Sequence, residues 1–120
     1  MNLELLRKYC IQKPGVTESF PFDEETLVFK VMGKIFALVN TVEIPISINL
    51  KCNPEKAIEL REKYDSVQPG YHMNKTHWNT VIIDNTIPHD ELCELIDDSY
   101  NLVVSGLKKS DRENLNFIKK

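Results

Sequence analysis

Long apolar runs are missing from this sequence of 120 residues. Nothing approaches the roughly 18 consecutive apolar residues that a membrane-spanning helix needs. The N-terminal segment interrupts its apolar positions with Glu4, Arg7 and Lys8, and this does not fit a secretory signal peptide. We therefore expect a protein that stays in the cytoplasm and has no membrane partner.

Cysteine is also scarce. Cys10, Cys52 and Cys93 lie at wide spacings, and no CxxC occurs. The disulfide frameworks of small secreted domains use even sets of cysteines. An odd and dispersed set favours reduced, buried thiols, in agreement with a cytoplasmic location.

Catalytic motifs are absent as well. The sequence has no glycine-rich phosphate loop, no GxSxG and no HExxH. Cys52 could approach His72 or His77 as a nucleophilic pair, but it ends an apolar strand pattern, where an inert buried thiol is the commoner case. The adjacent carboxylates of Asp97 and Asp98 point to different sides of a helix and face water. We expect no catalysis.

A metal site is not expected either. His72 and His77 are five positions apart across a turn, without a cysteine or carboxylate pattern nearby. Metal sites in proteins combine several such ligands. We therefore interpret both histidines as hydrogen-bonding residues and expect neither a metal nor another cofactor.

Length and charge limit the remaining choices. A chain of this length fits one domain, residues 1–120, with a single core, and we expect a monomer. The formal net charge of −3 and the isoelectric point near 5.6 argue against indiscriminate binding to nucleic acid.

Hydrophobic spacing predicts the elements. Three- and four-residue spacing predicts helices over 2–13, from Asn53-Pro54 onward, over 88–107 and, with a capping box at Ser110 to Glu113, at the C-terminus. Alternation predicts strands over 26–31, 34–40 and 46–51 and a β pattern over 67–84, with 16–25 as a connector. These predict an α+β, two-layer sandwich whose mostly antiparallel sheet has helices on one face.

The segment from Pro69 to Val81 is the chemically densest part of the chain. It contains side chains that binding surfaces use for stacking, hydrogen bonding and charge: Tyr71, His72, Asn74, Lys75, His77, Trp78 and Asn79. The alternative to a binding role is a purely structural role for this segment. Trp78 could bury its ring under the long helix, and Asn74 could satisfy only the backbone of its turn.

The same segment carries a family resemblance that runs along nearly the whole chain. The matching blocks, in order, are Tyr9-Cys10, Pro14 to Glu18, Phe20 to Phe22, Leu27 to Val31, Asn49 to Cys52, Pro69 to Lys75, His77 to Val81, Leu95-Ile96 and Ser99-Tyr100. On these blocks the chain resembles the MmcQ/YjbR family of small bacterial proteins. The resemblance implies a CyaY-like (frataxin-like) fold and DNA binding through a double-wing surface. The family often has a basic residue where this chain has Thr76.

Two binding hypotheses follow. The first is a DNA-binding module whose candidate residues are Lys30, Lys34, Lys51, Tyr71, His72, Asn74, Lys75, His77, Trp78 and Asn79. Its lysines would contact phosphates, and its aromatic rings would stack on bases. The alternative is a protein that binds a small molecule or a protein partner through the same Pro69 to Val81 surface.

Overall fold

The computed structural model describes residues 1–70 and 73–119 and has an α+β fold. The elements in chain order are α1 (Leu3–Ile11), β1 (Val16–Ser19), β2 (Thr26–Val31), β3 (Lys34–Asn40), β4 (Ser47–Lys51), α2 (Pro54–Lys63), β5 (Val67–Pro69), β6 (Trp78–Ile82), α3 (His89–Ser105) and α4 (Lys109–Lys119).

The six strands form one open sheet in the order β1-β2-β3-β4-β6-β5, and every neighbouring pair is antiparallel. Alternate side chains point to opposite faces, so one face buries Leu27, Phe29 and Val39 in the main core. Each helix adds buried side chains to that core, among them Leu6, Leu60, Ile96 and Leu115. The predicted helix-covered, antiparallel sheet is confirmed.

Helices α1 and α2 begin where the sequence supplies caps. The side chain of Asn2 accepts a hydrogen bond from the backbone N–H of Leu5 (2.9 Å), and that of Asn53 accepts one from Glu55 (3.0 Å). Pro54 occupies the first turn of α2, where a missing N–H leaves no hydrogen bond unmade. In the ranges described, no helix is long and apolar enough to cross a membrane.

Two details of the predicted elements were wrong. The expected connector 16–25 contains β1, which pairs with β2 from Val16↔Val31 to Ser19↔Val28. Strand β1 has only four residues, and three of them are polar, so the sequence shows no clear alternation there. Only the pairing with β2 defines it as a strand. Helix α4 begins at Lys109, so Ser110 lies inside the helix and does not cap it.

A register shift in the β2–β3 hairpin places Phe36 as an extra residue, because Phe29 pairs with Ala37 and Lys30 with Ile35. The ladder between β3 and β4 stops next to it, at Ala37↔Leu50. Ser99 of α3 closes the gap: its hydroxyl donates to the Phe36 carbonyl (2.6 Å) and accepts from the Lys51 N–H (2.9 Å). A helix side chain thereby holds the end of β4 in place.

Candidate nucleic-acid interface

The face of the sheet opposite the main core carries none of the four helices described above; we call it the helix-free face. Cross-strand pairing aligns its side chains in rows. One row runs over five strands, because consecutive pairs join Val28, Leu38, Asn49, Thr80 and Gln68. A parallel row joins Thr26, Asn40, Ser47 and Ile82. Residues far apart in sequence therefore form one continuous surface.

Lysines collect at one end of these strands. Since the neighbouring strands are antiparallel, the end of β2, the start of β3, the end of β4 and the start of β6 meet at the same end of the sheet. That end carries Lys30, Lys34 and Lys51, together with Lys75 in the β5–β6 connection. We call these four lysines the basic end.

Acidic side chains are segregated from the basic end. The ranges 26–42, 44–54 and 66–83, which contain β2 to β6, hold no Asp or Glu. Helix α2 carries three acidic and three basic side chains, whereas α3 carries five acidic side chains and no Lys or Arg. The charges behind the net value of −3 are thus unevenly distributed, with the negative charge mainly in the helix layer and the loops.

Ion pairing sharpens this contrast. In the helix layer, Lys56 pairs with Asp98 (2.7 Å) and Lys63 with Glu91 (3.6 Å). Within the described ranges, Lys30, Lys34 and Lys51 form no ion pair. Their charge is therefore available to an external anion.

Arg61 of α2 stabilises the connection between β5 and β6 through hydrogen bonds. The guanidinium donates to the side-chain oxygen of Asn79 (2.7 Å), to the carbonyl of Lys75 and to that of Trp78 (3.4 Å). Asn79, which is only 2% exposed, in turn donates to the carbonyl of Ala57 (3.3 Å). Arg61 therefore couples α2 to the turn that presents Lys75.

The side chain of Asn74 shapes that turn, as the structural interpretation predicted. Its oxygen accepts from the backbone N–H of Thr76 (2.9 Å), and its carbonyl accepts from the N–H groups of His77 and Trp78. His77, Lys75 and Thr76 are exposed. Tyr71 and His72, the remaining candidates of this segment, lie outside the described residues.

Trp78 lies where neither interpretation placed it. Its ring is 8% exposed and packs with Val28 and Leu38 in a second apolar cluster, against which Ile35 and Met73 also lie. This cluster is on the helix-free face, so the proposed location under the long helix was wrong. The buried ring braces the surface between the basic end and the middle row, because Trp78 stands directly opposite Lys51.

A groove on the helix-free face was not predicted from the sequence. It has a volume of about 480 Å³ and lies toward the end opposite the lysines. Leu38, Asn49, Thr80 and Ile82 contribute to it from three strands, and Met73 from the β5–β6 connection. The polar residues Ser47 and Asn49 alternating with the apolar residues of β4 were the sequence signal for this surface, but its concavity requires the other strands.

Of the Cys52–histidine pairings considered from the sequence, the structure brings Cys52 beside His77, because the Cys52 N–H donates to the His77 carbonyl (2.7 Å), whereas His72 lies outside the described residues. Burial raises the pKa of the Cys52 thiol, which disfavours the reactive thiolate, and it raises the pKa of the Cys10 thiol to about 12. The described part of the chain contains no group of three or more His, Cys, Asp or Glu side chains that could hold a metal ion.

Comparison with known proteins places the chain among its relatives. The family model described as YjbR matches residues 11–102. The chain belongs to the YjbR family. The MmcQ/YjbR resemblance seen in the sequence is thereby confirmed.

Members of the YjbR family and solved structures resemble this chain along most of its length. It is 41% identical over 112 residues to YbdF of Escherichia coli O157:H7, covering 93% of this chain and 92% of that protein. It is 36% identical over 115 residues to YjbR of Escherichia coli K12, covering 96% and 98%. The crystal structure of Deinococcus radiodurans DR2400, a DUF419 domain, superimposes with a TM-score of 0.89 at 43% identity, covering 96% of this chain and 88% of that one.

Proposed function

We propose that the protein binds duplex DNA through the basic end of its sheet and performs no catalysis. The observation that carries this proposal is the segregation of charge: four lysines collect at one end of strands that contain no acidic residue. Phosphate contacts supply most of the affinity of non-specific DNA binding, and they require local rather than net positive charge.

The spacing of the two turns at this end suits a duplex. The β2–β3 turn and the β5–β6 connection lie on either side of β4 in the strand order. Their centres are three strand spacings apart, about 14 Å. The major groove is about 12 Å wide, so the two turns can lie along its opposite phosphate backbones. This arrangement gives physical content to the double wing that the family resemblance implies.

Lysine contacts to phosphates define the expected mode. Trp78 is buried against Val28 and Leu38, so it supports the surface and does not stack on a base. Where lysine contacts to phosphates supply most of the affinity, binding depends little on sequence and strongly on salt. We place this activity in the cytoplasm, where Cys10, Cys52 and Cys93 remain free thiols, and in a monomer.

The experiment is a titration of a fluorescent duplex by anisotropy at several salt concentrations. For three or four phosphate contacts, the slope of log K against log salt is about −3 to −4. The double variant Lys30→Ala/Lys51→Ala removes two of these contacts, so the slope becomes less negative by about 2.

A matched control separates local charge from net charge. Lys8→Ala/Lys109→Ala changes the net charge equally, but its exposed lysines lie on α1 and α4. We expect it to bind like the wild-type protein. Absence of binding at about 50 mM salt, or an equal loss in both double variants, would refute the proposal.

A further inference from the structure

The groove on the helix-free face has the dimensions of a small-molecule site. Its volume of about 480 Å³ falls within the roughly 300–1,000 Å³ typical of such sites. Leu38, Ile82 and Met73 supply apolar surface, and polar side chains stand among them. This combination of an apolar surface and a few polar groups is what binds and orients small ligands.

The middle row supplies the polar groups. The Thr80 hydroxyl donates to the side-chain oxygen of Asn49 (2.6 Å), which fixes the orientation of that amide. Within the described ranges, the structure gives no protein partner to the Asn49 amide nitrogen or to the side-chain amide of Gln68. Both residues line the groove and can hydrogen bond to a ligand.

Charge at the groove has one sign. Asp23 and Glu43 line it, and none of the described residues that line it is Lys, Arg or His. The backbone N–H groups of Glu25 and Thr26 donate to Asp23 (2.8 and 2.7 Å) and hold the pKa of its carboxyl below the usual value. Ser47 donates to one oxygen of Glu43 (3.0 Å), which turns that carboxylate toward the sheet and leaves its second oxygen for a ligand.

We propose that this groove binds a small organic cation, a primary amine carried on an apolar body. The ammonium group would donate to the carboxylates of Glu43 and Asp23, and the apolar body would lie on Leu38, Ile82 and Met73. The same carboxylates repel anionic ligands, so phosphate groups and carboxylic acids are excluded by charge. The two carboxylates of the groove lie toward the end of the sheet opposite the lysines, so the ammonium position is separate from the proposed phosphate contacts.

Three probes of the same shape test the charge requirement: 2-phenylethylamine, 2-phenylethanol and phenylacetate. They are titrated into uniformly ¹⁵N-labelled full-length protein and followed by amide chemical shifts. The amine is expected to shift the backbone amide signals of Asn49, Thr80 and Gln68 and the side-chain amide signals of Asn49 and Gln68. A charge-assisted hydrogen bond makes its affinity about tenfold higher than that of the alcohol, and phenylacetate does not bind.

The variant Asp23→Asn/Glu43→Gln tests the two carboxylates. Both new side chains keep an oxygen that can accept the bonds from Thr26 and Ser47, so the local fold is retained. Amine affinity should fall about tenfold. The matched control, Glu24→Gln/Glu25→Gln, also removes two charges, from the loop that contains Asp23 but at residues that do not line the groove, and should bind the amine like the wild-type chain.

Several outcomes would overturn the proposal. Equal affinity for amine and alcohol would show that charge is not recognised, and shifts confined to α3 would show only general attraction to acidic surface. Groove amides that shift with protein concentration in the absence of amine would assign the groove to a second copy of the chain. DNA binding of the Asp23→Asn/Glu43→Gln variant should be unchanged, so failure of the amine site and failure of the DNA proposal are distinguished.

Discussion

Single buried polar side chains in this protein connect the core to the proposed surface. Ser99 is fully buried, and its hydroxyl satisfies two backbone groups where the ladder between β3 and β4 stops. One of these groups belongs to Lys51, a residue of the basic end. Arg61 and Asn79 form the corresponding support for the turn that carries Lys75. The positions of the lysines therefore depend on residues that do not contact a ligand.

The variant Ser99→Ala tests this connection. It leaves the Phe36 carbonyl and the Lys51 N–H without the partner that they have in the native structure. Burying an unsatisfied group costs about 1–3 kcal/mol, so with two such groups we expect the free energy of unfolding to fall by at least about 2 kcal/mol. Urea denaturation followed by circular dichroism measures this change.

Ser105→Ala is the matched control for Ser99→Ala. Ser105 also lies on α3, and its hydroxyl donates to the Leu102 carbonyl (2.7 Å), but it is exposed to water. Its replacement should change the free energy of unfolding by less than about 0.5 kcal/mol. Equal losses in the two variants would show that Ser99 does not bridge β3 and β4.

Elements with a clear period could be predicted from the sequence. Helix α3 and strand β4 repeat their apolar positions clearly enough to define both the element type and its buried face. Strands β2 and β3 are apolar on both faces, so their pattern defines only the element type. Strand β1 could not be predicted, since four polar-rich residues become a strand only beside β2. The register shift that makes Phe36 an extra residue could not be predicted either, because it depends on the pairing of two strands and on Ser99.

The candidate site was only partly predictable for the same reason. The lysines could be named from the sequence, but their meeting at one end depends on the strand order. Alternation placed Trp78 on a strand without deciding which face it occupies, and the helices take the other face. The groove combines residues as distant as Asp23 and Ile82, so no local pattern could indicate it.

The β2–β3 hairpin offers a test at the level of one element. Gly33 has φ +83°, and a Cβ added there would meet nothing within 4 Å. The cost of Gly33→Ala therefore comes from backbone strain alone, about 1–2 kcal/mol. We expect the urea midpoint to fall accordingly.

Gly106→Ala provides the comparison for Gly33→Ala. Gly106 ends α3 with φ −90°, and the nearest atom to an added Cβ, the Val103 carbonyl oxygen, is 3.6 Å away. An alanine fits there without strain and reduces the freedom of the unfolded chain, so stability should stay the same or rise by up to about 1 kcal/mol. If both variants lose equal stability, the positive φ of Gly33 is not the cause.

Over the whole molecule, the distribution of charge matters more than its sum. The basic end and the two carboxylates of the groove, Asp23 and Glu43, lie toward opposite ends of one face. Along β4, Ser47, which hydrogen bonds to Glu43, is four residues from Lys51, about 13 Å. The Debye length at physiological salt is about 8 Å. Each end therefore acts largely on its own, and the net charge of −3 is a poor guide to what either end binds.

Adding one positive charge at either end separates these effects. Thr76 and Thr86 are both exposed, and Thr76→Lys or Thr86→Lys changes the net charge by the same amount. Thr76 lies in the turn with Lys75, whereas Thr86 follows the far end of β6. The backbone hydrogen bond from Thr76 to the Asn74 side chain does not need the threonine side chain, so the turn is retained.

We expect Thr76→Lys to strengthen duplex binding several-fold at about 50 mM salt and to make the salt slope more negative by about 0.9, one additional phosphate contact. Thr86→Lys should leave both quantities unchanged, since its charge is more than a Debye length from the phosphates. Anisotropy titrations over a range of salt concentrations measure both. If the two variants gained affinity equally, DNA binding would follow the net charge of the protein, and the basic end would have no special role.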